Sequence, residues 1–203
     1  RAPIPRDPAN DYTPEMAERR AQFLRERTGV ELDHVRRASF DPALLPGIQP
    51  EIAIPAIPED ERVWVPQAPL VWFRPLLLNT VTGSWCNLLR VRKAGVLSRH
   101  IHPSWVTGFV IKGAWRYLEH DWVAREGSFV YEPPGEIHTL VVDEASGGDT
   151  EMITFFNIHG AMVYVDEAGR STGYEDVFTK IDMCRRHYTE VGLGAGYVDQ
   201  FVR

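Results

Sequence analysis

From Glu61 to Met162 the chain is a train of short segments rich in β-branched and aromatic residues, and no segment is long enough for an ordinary helix. The segments are Val71 to Leu78, Ser84 to Arg92, Val96 to His102, Thr107 to Ile111, Ala114 to Glu119, Ser128 to Glu132, His138 to Val142 and Met152 to Ile158. Most joints carry a breaker: Thr82-Gly83, Gly95, Gly113, Gly127, Pro133 to Gly135, and Gly147-Gly148. Eight strands at this spacing predict an all-β domain, an antiparallel sandwich or barrel.

The flanks differ in texture. Residues 1–12 are rich in Pro, Asp and Arg and read as an arm. Thr13-Pro14-Glu15 then combines a capping hydroxyl, a proline at the first helical position and an acid in the first turn, which predicts a helix to about Arg27 that stops at Gly29. Pro50, Pro55 and Pro58 forbid a helix and predict an extended strap on the surface or at a subunit contact. Between Glu175 and Val191, Val177, Ile181, Cys184 and Tyr188 recur at helical spacing, so a last helix is expected to pack on the outside of the barrel. The expected organisation is one domain: arm, helix and strap over 1–60, barrel over 61–162, and helix and tail over 163–203.

With 203 residues and 44% hydrophobic content, the chain has enough apolar material for a sizeable core. A net charge of −6 argues against nucleic acid and anionic membranes, both of which call for a basic surface. No apolar run approaches the roughly 20 residues of a spanning helix, and no signal peptide is visible. Cys86 and Cys184 match no zinc pattern and read as free thiols in a reducing cytoplasm.

Side chains alternate faces along a strand, so His100 and His102 project to the same side and can share one metal ion. The Pro133-Pro134-Gly135 turn stands just before His138, where a new strand would bring a third imidazole back to the first two. Three neutral nitrogen ligands with open coordination positions are the expected site. Imidazole suits Fe, Zn, Cu and Ni alike, so ligand type does not choose the metal. His34 and His187 have no partner spacing and His120 sits at an expected hairpin tip; His159 is the one rival ligand.

These residues resemble the two motifs of the cupin family. Gly95, His100, His102 and Gly113 fit the first, and Gly127, Pro133, Gly135 and His138 fit the second in register. Val106 stands where the first motif has a Glu, and Val142 where the second has an Asn. The resemblance implies a jelly-roll-like barrel, and loss of the Glu points within the cupins to the three-His iron dioxygenases. The segments His100 to Gly108, Gly113 to Tyr117 and Tyr131 to His138 make the chain similar to the 2,4'-dihydroxyacetophenone dioxygenase family from about Tyr12 onward. That likeness implies Fe(II) as cofactor and an aromatic hydroxyketone and O2 as substrates, with C–C cleavage to 4-hydroxybenzoate and formate. Alternatives are a three-His cupin acting on a β-diketone or a thiol, and a non-catalytic metal-binding sensor. The arm and strap could wrap a neighbouring copy, so a homo-oligomer, dimer or tetramer, is expected.

Such chemistry needs a proton acceptor. Glu132, directly before the Pro-Pro-Gly turn, and Glu119, ending the strand of Trp115 and Tyr117, are the candidates for proton transfer or for orienting a ligand histidine. Trp105 follows the His-x-His strand, and Trp115 and Tyr117 share a strand face, so these three are the expected binding surface for an aryl ring.

Overall fold

Alternation of buried and open positions organises the strands. In the strand Met152–His159, Met152, Thr154, Phe156 and Ile158 are buried on one face, and Ile153 is buried on the other. The computed structural model describes residues 14–28, 51–144 and 150–203. By contact it divides into two units, Arg1–Glu51 and Ile52–Arg203. In the first, a helix α1 runs over Pro14–Thr28, as the Pro-Glu start predicts. The proposed capping residue Thr13, the arm before it, His34 and the start of the strap lie outside the described residues. The described part of the strap, 51–60, contains no helix or strand.

The second unit holds the barrel. Its strands are β1 (Val65–Ala68), β2 (Val71–Leu78), β3 (Ser84–Val91), β4 (Gly95–Ile101), β5 (Val106–Lys112) and β6 (Ala114–Tyr117). They continue with β7 (Ala124–Arg125), β8 (Phe129–Glu132), β9 (Ile137–Val142), β10 (Met152–His159), β11 (Met162–Val165) and β12 (Ser171–Glu175). Two six-stranded antiparallel sheets result, ordered β1-β2-β3-β10-β5-β8 and β12-β11-β4-β9-β6-β7. Residues from both sheets, among them Phe73, Trp85, Val110, Trp115, Leu140 and Phe156, form one buried cluster, so the sheets face each other across a shared core. The eight expected segments all appear, within a few residues of their expected ends. β1, β7, β11 and β12 are additional, and the last two carry the second sheet past residue 162.

Outside the first sheet, a smaller cluster of Trp64, Leu88 and Ile153 covers the opposite face. Arg90 shares parity with Leu88 and so points there: its guanidinium lies over the Trp64 and Trp72 rings and forms a two-pronged ion pair with Glu61 at 3.0 and 2.7 Å.

The closing helix α2 spans Val177–Glu190. Asp176 caps it reciprocally with Thr179, which satisfies two amides at the start of the helix. Val177, Ile181, Cys184 and Tyr188 are buried as the periodicity predicts, but they join the main core between the sheets. α2 packs on β1, β2 and β12 and adds these side chains to the main core cluster. Both cysteines are free thiols. No described helix is long and apolar enough to cross a membrane.

One hinge in this layout demands glycine. Gly113, between β5 and β6, has φ +75°, and a Cβ there would sit 2.3 Å from the Glu151 carbonyl oxygen. Gly113→Ala is expected to cost roughly 2–6 kcal/mol, the left-handed backbone and the overpacking each contributing about 1–3. Chemical denaturation measures it, and an unchanged midpoint would show that the turn yields more easily than its geometry implies.

Candidate metal centre

β4 and β9 are adjacent in the second sheet, and their register sets His100 directly opposite His138. His102 follows at the same parity just beyond β4, so all three imidazoles turn into the barrel. Their ring centroids lie 4.9 Å (His100–His102), 4.7 Å (His100–His138) and 5.6 Å (His102–His138) apart. One nitrogen from each falls within 4.8 Å of the others, and all three residues are buried. The structure thus brings together the three histidines predicted as ligands.

The turn between β8 and β9 is built for this. Gly135 adopts φ +90° after Pro134, the conformation that a type II turn needs at its third residue. Its N–H donates to the His102 carbonyl at 2.9 Å. That bond ties the second motif to the first and fixes where β9 begins.

The donor set fits a metal. Burial pushes His138 down to about 3 and His102 to about 4, and it holds His100 well below the usual imidazole range. All three rings are therefore neutral, as a cation requires. Both nitrogens of His138 and Nδ1 of His102 are buried without a hydrogen-bond partner among the described residues. Unmet polar atoms at such depth are costly, and a cation would take up the lone pair that each neutral ring carries. His100 differs: its Nδ1 lies 3.1 Å from Ser98 Oγ, and donation to that oxygen leaves Nε2 as the lone pair. Ser98, His100 and His102 share one parity, so this partner could have been read from the strand pattern. Tyr117 stacks on His138 at 3.9 Å with the rings 3° from parallel, which sets the plane of that imidazole.

Glu132 completes the cluster. It ends β8 directly opposite Val106 on β5, the position where the first cupin motif carries its Glu. Its Oε2 lies 3.4 Å from His138 Nε2 and 3.6 Å from His102 Nε2, and among the described residues neither carboxylate oxygen meets full hydrogen-bond geometry, the Tyr117 hydroxyl being the donor that faces it. Burial pushes this carboxyl up to about 7. A carboxylate missing from one strand thus stands at the same level on its neighbour.

Glu119 is placed differently. Its oxygens accept from Thr139 N at 2.7 Å and Thr139 Oγ1 at 2.8 Å, with Arg99 at 3.4 Å, and Thr139 has the opposite parity to His138. It therefore ties β9 down from the outer face of the sheet. His120 pairs with Glu136 at 3.0 Å, and His159 stacks on Trp105 at 3.9 Å, so both stand apart from the cluster.

A cavity of about 350 Å³ adjoins the histidines. Tyr117 and Glu132 line it together with His100, His102, Val106, Phe156 and Ile158. Trp115 and Trp105 do not. Trp115 is wholly buried against Tyr117, Trp122 and Phe156, and Trp105 faces His159. The remaining polar lining includes Gln67, Asn87, Lys93, Tyr164, Glu175 and Lys180, none of them recognised in the sequence.

The family model described as the ChrR cupin-like domain matches residues 56–163. Among solved structures, an RmlC-like cupin protein from Ralstonia eutropha JMP134 is 31% identical, with a TM-score of 0.59 over 64% of this chain and 83% of that one. An acetylacetone dioxygenase from Acinetobacter johnsonii is 15% identical, with a TM-score of 0.55 over 68% of this chain and 95% of that one. At that identity the likeness is one of fold. No match is found among curated proteins.

Proposed function

Starting from the premise that the chain belongs to the cupin family of the ChrR cupin-like domain, we propose that it is a non-haem Fe(II) dioxygenase that cleaves the C–C bond of an aryl α-hydroxyketone. The proposed reaction converts 2,4'-dihydroxyacetophenone and O2 to 4-hydroxybenzoate and formate. The observation that carries the reading is the cluster of three neutral imidazoles against the buried Glu132 carboxyl, with His100, His102 and Glu132 on the wall of one small cavity. At about 350 Å³ that cavity lies near the lower end of the roughly 300–1,000 Å³ of ligand pockets, a size for one aromatic ring and a short side chain.

His100, His102 and His138 would hold the metal. Bound Fe(II) would supply Lewis acidity toward the substrate's carbonyl and hydroxyl oxygens and the electrons with which O2 reacts. Glu132 serves as proton acceptor: its Oε2 takes a proton from the hydroxymethyl end of the substrate as the ketone passes to its electron-rich enediolate form. Tyr117 holds the His138 plane, while Val106, Phe156 and Ile158 supply apolar wall that excludes water.

One observation favours a second reading. The 3.4 and 3.6 Å approaches of Glu132 to the histidine nitrogens would let it serve as a fourth ligand, giving a closed centre suited to zinc and to metal sensing without turnover. The experiment that separates the two is anaerobic reconstitution of metal-free protein with Fe(II), addition of 2,4'-dihydroxyacetophenone, and admission of O2. One formate released per O2 consumed, absent with Zn(II), is expected. Full iron loading without oxygen uptake would move the function to β-diketones, thiols or sensing.

A further inference from the structure

The cavity has a second polar group that the metal chemistry does not use. Tyr164 on β11 is the cross-strand partner of His100, and Gly173 on β12 is the next position in the same row. Adjacent strands are about 4.8 Å apart, so this row runs from the histidines toward α2. There Gln67 Nε2 donates to Tyr164 Oη at 3.2 Å and to Glu175 Oε2 at 3.2 Å. Lys180 Nζ, on α2, bonds Glu175 Oε2 at 2.6 Å and Gln67 Oε1 at 3.1 Å, and it lies over the Phe73 and Trp85 rings. Gln67, Tyr164, Glu175 and Lys180 all line the cavity that His100 and His102 line.

A lysine so deeply buried is expensive, and its pairing with Glu175 offsets only part of that cost. If the pair served only to hold α2 down, its donors and acceptors would all be matched. They are not. Lys180 has three N–H donors, and among the described residues two have acceptors. Asn87, which is buried and lines the same cavity, has an amide oxygen with no partner. An unpaired donor and an unpaired acceptor on one wall are complementary to a group that both gives and takes a hydrogen bond. Lys180 and Glu175 neutralise each other, so beside this pair a neutral hydroxyl fits better than a carboxylate; the lining's other cation is Lys93.

We propose that Asn87, Gln67, Tyr164 and Lys180 form a distal subsite that binds the ring hydroxyl of a phenolic substrate whose ketone end faces the three histidines. This rests on the aryl hydroxyketone reading and specifies which aryl ketones are accepted. The hydroxyl would donate to Asn87 Oδ1 and accept from the Lys180–Tyr164 side. A ring without it would leave those groups unpaired, which costs more than the loss of one ordinary hydrogen bond.

The test measures binding of 4'-hydroxyacetophenone and acetophenone to the protein as purified, by quenching of tryptophan fluorescence. Neither ligand has the α-hydroxyl that cleavage requires, so the readout is independent of turnover. The wild type is expected to bind the phenol about tenfold or more tightly. The single-oxygen deletion Tyr164→Phe should erase that preference while leaving acetophenone affinity within about twofold, and Gln67→Leu should erase it with a lower thermal midpoint, because it also takes an acceptor from the buried Lys180. Equal binding of the two ligands, a preference surviving in both variants, or no binding of either would overturn the subsite. The hydroxyketone reading is judged separately, by formate release, so the two failures are distinguishable.

Discussion

Replacing His138 with alanine is expected to abolish stoichiometric metal binding and turnover while the barrel stays folded. His138 faces His100 across the β4–β9 ladder, and both of its ring nitrogens are buried without partners. Removing it takes away one of three donors to the cation, so affinity should fall by more than the roughly 10–100-fold that loss of an outer-shell partner costs. The expected cost to the fold is modest. The ring makes no hydrogen bond that would be lost, and truncation removes two unsatisfied polar atoms along with its stacking on Tyr117. Metal content after dialysis, read beside the thermal midpoint of the metal-free protein, checks both halves. A variant that kept a full equivalent of metal would show that the three imidazoles are not the ligand set.

That centre was legible because its information is local. Two-residue periodicity places His100 and His102 on one face, and the Pro-Pro-Gly turn marks where the third histidine returns. The strands with strong β-branched and aromatic content were legible for the same reason. β1 and β12 were not: Pro66 and Gly173 interrupt them, and as edge strands they are held by pairing more than by propensity. β7 has two residues and no periodicity to read. Trp115 shows the opposite limit, since strand parity gives its face but not whether core or cavity lies there.

Lys180 is the instructive omission. It is three residues after Val177 and four before Cys184, on the helix face whose apolar members are evident in the sequence. A lysine at that position is ordinarily read as solvated, and only the fold reveals Glu175 and Gln67 waiting for it. The Glu132–Val106 exchange was hidden for a related reason. The first motif reads along β4 and into β5, whereas the carboxylate is supplied from β8, and the β5–β8 register that sets the two residues opposite each other cannot be read from either segment alone.

Glu132→Gln is the substitution that decides what this carboxylate does. It conserves volume and removes the charge and the basic oxygen, so it separates proton transfer from packing. If Glu132 is the proton acceptor, the variant should retain iron and bind substrate while kcat falls on the order of 10²–10⁴-fold, the span assigned to a positioned general base. The O2:formate ratio of the residual reaction should be unchanged, because the cleavage step itself is untouched. If Glu132 is instead a fourth ligand, metal affinity is what falls, and no turnover is lost because there was none to lose. A decisive feature is that the carboxylate already approaches two ligand histidines at 3.4 and 3.6 Å. Glutamine in that place offers an amide N–H to the same nitrogens and cannot accept a proton at neutral pH. Retention of full kcat together with full iron occupancy would remove Glu132 from both roles and leave the acceptor to be sought on the substrate or in solvent.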